Sequence, residues 1–198
     1  MKTGEPARRA YRMDARAAAA AATGERILDA ATQVFYARGE LPLEEVARAA
    51  GVSVQTVIRR FGGRDGLFAA ALERESSRVA EQRGHAPVGD TGAAVRVLLD
   101  HYEEWGDRVL ALLALEDRSP AAAEVVAAGR RLHREWCEHL LAPALDGLEG
   151  ADRDRRLAQL VAVTDVLVWK LLRRDAGLDR AQTELAVREL LAPLMGDH

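Results

Sequence analysis

Residues 43–64, LEEVARAAGVSVQTVIRRFGGR, constrain the fold more than any other stretch of the chain. Leu43, Val46, Ala47 and Ala50 stand at i, i+3, i+4 and i+7, the stripe of one helical face. Gly51-Val52-Ser53 interrupts that helix, and Ser53 is suited to cap a second one. In the second, Val57 and Phe61 sit four apart and face inward. Val54, Gln55, Thr56, Ile58, Arg59 and Arg60 are left mostly outward, on a helix too short to fold without neighbours. The spacing predicts two short helices around a glycine turn, a helix-turn-helix, whose second helix is the type of element that enters a major groove.

The flanks extend this pattern. Thr23 is placed to cap a helix reaching Arg38, with Ile27, Ala31, Val34 and Phe35 on one face and Gly39 at its end. After Gly62-Gly63 a further helix is expected from Arg64 to Arg83, burying Leu67, Phe68, Ala71, Leu72 and Val79. Residues 84–92 hold three glycines and Pro87, the clearest break in the chain. Beyond it no strand pattern appears, and helices are expected over residues 93–104, 107–116, 120–141, 152–174 and 179–194. The fold class read from this is all-α, a three-helix amino-terminal domain followed by a helical bundle. The boundaries are a flexible basic arm over 1–22, the helix-turn-helix domain over 23–63 and a larger domain over 64–198.

Charge separates along the same line. The whole chain carries a net −3, which taken alone argues against a nucleic-acid partner. Residues 1–65 hold 11 basic against 8 acidic side chains, net +3, and residues 66–198 hold 17 against 23, net −6. A basic front and an acidic back suit an amino-terminal module that meets phosphate. Lys2, Arg8, Arg9, Arg12 and Arg16 make the first residues basic, as in an arm along a DNA backbone or as in a solvated tail. The single cysteine, Cys137, excludes an intrachain disulfide framework and fits a reducing compartment. No apolar run approaches the roughly 20 residues that span a bilayer, and no secretory leader pattern opens the chain, so a cytoplasmic protein without a membrane partner is expected.

Residues 26–73 resemble the TetR family of transcriptional regulators. The resemblance is carried by Ile27-Leu28-Asp29-Ala30-Ala31, Phe35, Gly39, Val46-Ala47, Ala50-Gly51-Val52-Ser53, Thr56-Val57, Phe61 and Leu67. The remainder is similar only in outline, as an all-helical body ending in two long helices. Three departures stand out. Ile58 occupies the place of a tyrosine that commonly touches a DNA phosphate, Pro42 replaces the usual threonine cap, and the connection from Gly39 to Val46 is shorter by about two residues. The resemblance implies a homodimer that reads a palindromic double-stranded operator and a body that binds a small-molecule effector. It also implies that Arg64 takes the role of a phosphate-binding lysine.

The DNA-facing set expected on these grounds is Ser53, Val54, Gln55, Thr56, Ile58, Arg59, Arg60 and Arg64. Gln55 suits direct readout, because its amide pairs with adenine N6 and N7. For the effector pocket the expectation is Tyr102, Trp105, His133, Trp136 and Cys137, large residues with polar tips on helices of the bundle. Ordinary core is the competing reading for each of them. His133 and Cys137, four apart, make half of a zinc site, but no further ligands stand at definite spacing, so neither metal nor cofactor is expected. No nucleophile elbow, glycine-rich phosphate loop or carboxylate pair suggests an enzyme. For the dimer interface, Leu160, Val163, Leu167, Leu171, Leu190 and Leu194 are expected on two apolar helices that pair with their symmetry mates. The alternatives are a helical small-molecule-binding protein or enzyme with a vestigial helix-turn-helix, and an architectural DNA binder without effector.

Overall fold

The computed structural model describes residues 5–196, with side chains described from residue 17 onward. The side chains of Lys2, Arg8, Arg9, Arg12 and Arg16 lie outside the described residues. Those described form helices α1 (Glu5–Arg38), α2 (Leu43–Ala50), α3 (Val54–Phe61), α4 (Arg64–Arg83), α5 (Thr91–Leu113), α6 (Pro120–Leu140), α7 (Gly150–Val163), α8 (Val166–Lys170) and α9 (Arg180–Met195), with no strand among them. The chain divides into two compact units, Met1–Arg74 and Glu75–His198. The division falls inside α4, beyond the Gly62-Gly63 step.

In the first unit the apolar stripes predicted from periodicity meet. Ile27, Ala31 and Phe35 of α1, Val46, Ala47 and Ala50 of α2, Val57 of α3 and Leu67 and Ala71 of α4 are all buried. Phe35 meets Phe68 edge-on at 5.5 Å between ring centres. Arg74 ties α4 to α1 through the carboxylates of Glu25 at 3.2 Å and Asp29 at 3.0 Å. One boundary differs from expectation. Helix α1 begins at Glu5 instead of at Thr23, and the Thr23 hydroxyl donates to the Ala19 carbonyl, one turn back, instead of capping. The intervening alanines explain this, since alanine is the best helix former and continues a helix already nucleated downstream.

The second unit is a bundle whose core includes Val95, Leu98, Leu99 and Tyr102 of α5, Trp136, Cys137 and Leu140 of α6, Leu157 and Leu160 of α7, Trp169 of α8 and Val187 and Leu191 of α9. Here two expectations are corrected. Residues 91–113 are one helix, not two broken at Gly106. Gly106 packs under the Trp169 indole, where an added Cβ would lie 2.5 Å from Cζ3, so the glycine serves a close approach and not a turn. Residues 152–174 are not one helix. The Thr164 hydroxyl donates to the Leu160 carbonyl at 2.7 Å, and the Tyr102 hydroxyl donates to the Thr164 carbonyl at 2.9 Å. The Asp165 carboxylate then accepts from the Leu167 amide at 2.8 Å, capping α8 as a new start, which passes into a π turn over Leu171–Asp175. Helix α9 opens on a full capping box between Asp179 and Gln182.

Candidate nucleic-acid interface and buried polar cluster

The helix-turn-helix is built by local chemistry at two residues. Gly51, at φ 66°, closes α2 in the left-handed region that an L side chain resists. Ser53 accepts from the Thr56 amide at 3.2 Å, and the two hydroxyls hydrogen-bond at 2.9 Å, which caps α3. With Val57 fully buried, the other side of α3 faces outward, and Gln55, Ile58, Arg59 and Arg60 are exposed. Val54 and Thr56 are half-buried, while Ser53 and Arg64 are exposed at the two ends of the motif. Ile58 exposes 39% of its surface, an apolar spot in a cationic face. Arg60 folds back within the unit. Its guanidinium occupies the notch above Gly24 of α1, where an added Cβ would lie 2.4 Å from Nη2, and stands 6.0 Å over the Phe61 ring. Arg64 opens α4, a cation at the positive end of the helix dipole, a placement that favours meeting an anion.

A second constellation lies inside the bundle. Tyr102, His133, Trp136 and Cys137 are all buried, and Tyr102, Trp136 and Cys137 belong to the apolar core of the unit, the placement that ordinary core packing also gives. Trp105 does not join them; it is half-buried with the Arg108 guanidinium 4.7 Å over its ring. Three residues outside the expected pocket set complete the cluster: Arg83 from the end of α4, His101 from α5 and Thr164. Only tertiary packing marks Arg83, which sits among Glu81, Gln82 and Gly84 in an otherwise solvated run.

The hydrogen bonds run in one direction. Arginine only donates, so the Arg83 Nη1 bond of 3.2 Å to His133 requires Nδ1 to be the acceptor. The ring proton then sits on Nε2 and is donated to the Thr164 hydroxyl at 3.1 Å, which itself donates to Leu160. His133 is therefore neutral. Burial, with the Arg83 charge adding to it, pushes its pKa down to about 3. His101 is lowered to about 3 as well, by burial first and then by Arg83 and His133, and its Nδ1–H donates to Gln82 Oε1 at 2.9 Å. Burial raises the Tyr102 hydroxyl, and it pushes the Cys137 thiol up to about 11. A thiol held protonated is a weak nucleophile. Among the described residues no group of three histidine, cysteine or carboxylate side chains is placed to hold a metal ion.

Residues 27–71 match the amino-terminal profile of the bacterial regulatory proteins of the tetR family. The chain carries a tetR-family helix-turn-helix domain. The fold extends the likeness over most of the chain. A transcriptional regulator from Rhodococcus sp. Rha1 is 24% identical, with 87% of this chain and 95% of that chain covered and a TM-score of 0.62. A tetR-family transcriptional regulator from Streptomyces coelicolor is 23% identical over 85% and 81%, with a TM-score of 0.60. NalD of Pseudomonas aeruginosa, the secondary repressor of the MexAB-OprM multidrug efflux pump, is 22% identical over 88% and 96%, with a TM-score of 0.54. No curated protein matches the chain. The fold is that of a TetR-family transcriptional regulator, and no helix among the described residues is long and apolar enough to cross a membrane.

Of the residues expected to pair two tetR-type bodies, Leu160 is fully buried in the core of its own unit, and Val163 and Leu194 are half-buried. Leu167, Leu171 and Leu190 expose 52%, 58% and 47% of their surfaces, and Leu185 on α9 joins them at 56%. The break at Thr164-Asp165 turns Leu167 and Leu171 outward while Val166 and Trp169 go into the core, a division that helical periodicity through residue 174 does not predict.

Proposed function

We propose that this tetR-family chain is a ligand-responsive transcriptional repressor that binds a palindromic operator as a homodimer. The observation that carries the reading is the outward face of α3, where Gln55 and Arg59 project from a helix locked by Ser53 and Gly51, with Arg64 at the next helix start. Gln55 supplies a base-reading amide, and the arginines supply phosphate contacts that set affinity and register. Exposed Leu167, Leu171, Leu185 and Leu190 support pairing of this end of the body with a second copy, since large apolar side chains left in water on consecutive elements gain by burial in an isologous interface. Two α3 helices in such a dimer stand about 34–36 Å apart, one turn of duplex.

The buried cluster supports the effector-binding part. Helix α4 is continuous from Arg64, at the head, to Arg83, in the cluster, about 30 Å of helix at 1.5 Å per residue. An effector alters operator affinity only if it binds two states of the protein unequally.

A second reading, a helical binding protein or enzyme with a vestigial helix-turn-helix, is favoured by Arg60 lying on Gly24 and by the exposed Ile58. Binding to random duplex as a function of salt separates the two. The repressor reading expects affinity to fall steeply as salt rises, with Arg59→Ala plus Arg64→Ala flattening the slope by about 2 on a log-log plot, near one per lost phosphate contact. An affinity indifferent to salt, or a slope unmoved by the double substitution, goes against it.

A further inference from the structure

We propose that the effector carries a carboxylate and that Arg83 is the counter-ion that receives it. The inference rests on the reading of the second unit as an effector receptor and goes beyond it by naming the chemical class. Arg83 is 6% exposed, and its Nε has no hydrogen-bond partner. Buried arginines are almost always paired with a carboxylate or another anion. Among the described residues no acidic side chain forms an ion pair with Arg83. Its guanidinium donates from Nη1 to His133 at 3.2 Å, acts on the Tyr102 hydroxyl beside it, and stands 5.5 Å over the Tyr102 ring and 5.8 Å over the Trp136 ring. None of these neighbours carries a negative charge. The direction of the hydrogen bonds, Arg83 to His133 to Thr164 to Leu160, fixes the imidazole as neutral, so it orients the guanidinium without neutralising it.

Other charged groups near the cluster do not supply the missing partner. Asp165, whose charge is felt at Tyr102 and Cys137, forms no ion pair with Arg83, and its Oδ1 accepts from the Leu167 amide at the start of α8. Glu104 accepts from Gln82, which in turn accepts from His101. What remains is a planar donor with an unused Nε edge, lying against two aromatic rings and His133, whose ring stacks on Trp136 at 5.8 Å. A carboxylate matches the guanidinium fork in shape and charge, and an apolar body attached to it suits the neighbouring Tyr102 and Trp136 rings. Such binding acts at the last turn of α4, where Arg83 lies and where Trp136 Nε1 donates to the Arg83 carbonyl at 3.3 Å.

The test uses the full chain without DNA, at fixed ionic strength, with benzoate and hexanoate as probes beside the neutral benzamide and hexanamide. Tryptophan fluorescence and calorimetry read binding. The expected result is saturable binding of at least one acid at one site per chain, with its amide weaker by roughly tenfold to a hundredfold, the worth of a charge-assisted hydrogen bond. Arg83→Gln should weaken the acid by the same factor and leave the amide unchanged. Unliganded Arg83→Met, which keeps the stem and removes the unpaired cation, should unfold at a urea concentration no lower than the wild type. Acid and amide binding equally, an Arg83→Gln chain that keeps its preference for the acid, failure of both acids to bind, or a marked loss of stability in Arg83→Met would each overturn the proposal. Failure here leaves the α3 operator reading standing, because no DNA enters the measurement; failure of operator binding leaves the carboxylate result equally intact.

Discussion

Acidification offers a demanding test of the buried cluster. His101 and His133 are both held neutral, with pKa values lowered to about 3 from an ordinary value of 6.5. In the unfolded chain both titrate normally, so below pH 6.5 the unfolded state binds more protons than the folded one, and stability falls as pH falls. The contribution is fully present above pH 6.5 and is lost on the way down toward pH 3. Between pH 7 and pH 5 each histidine removes about 2 kcal/mol, the pair about 4 kcal/mol, because every unit of pH below the unfolded value is worth 1.36 kcal/mol per group. Set against a folding stability of roughly 5–15 kcal/mol, this is a large fraction. All three tryptophans, Trp105, Trp136 and Trp169, lie in the second unit, so their fluorescence reports its unfolding by urea. With a slope of ~2 kcal/mol per molar urea, the midpoint should fall by roughly 2 M from pH 7 to pH 5 at constant protein concentration. His133→Gln takes no proton and should remove about half of that fall. A midpoint that moves by less than about 0.5 M, or a variant with the full wild-type loss, refutes the assignment of two neutral buried histidines.

Three further outcomes follow from particular contacts. Gly106→Ala places a methyl 2.5 Å from Trp169 Cζ3, and Trp169 is 1% exposed with its Nε1 donating to Glu103, so it has no room to retreat. A loss of about 3 kcal/mol, seen as a lower urea midpoint, is expected for such overpacking, and a variant as stable as the wild type would show that the indole moves freely. Leu167→Glu puts a charge on the exposed apolar face of α8 and should give a folded monomer by sedimentation without operator affinity; a dimeric variant rules out that face. Ser53→Ala removes the α3 cap and should lower the stability of the first unit by about 1 kcal/mol, read by circular dichroism, with weaker duplex binding; no change in either would mean that the cap is dispensable.

The amino-terminal head was legible because its determinants are local. The stripe of Val46, Ala47 and Ala50, the Gly51 turn, the Ser53 cap and the inward Val57 act within a few residues of each other, and short-range periodicity reports them faithfully. The capping box at Asp179 was legible for the same reason. Where a residue answers to a distant neighbour, the local signal misled. Gly106 reads as a helix end, yet it sits mid-helix to admit Trp169 from 63 positions away in the chain. Thr164 reads as one more position of a long apolar helix, yet Tyr102 captures its carbonyl and α7 ends there.

Composition, periodicity and turn chemistry thus determined that this chain is all helical and opens with a helix-turn-helix, since backbone hydrogen bonding and amphipathic spacing are written residue by residue. Only the tertiary structure decided which polar side chains are buried together. Arg83 belongs to a solvated stretch by sequence and becomes a cation without an acidic partner against Tyr102, His133 and Trp136 only when α5 and α6 close around it. Desolvation depends on every neighbour at once, and for that reason the chemistry of the cluster has no signature in the order of residues.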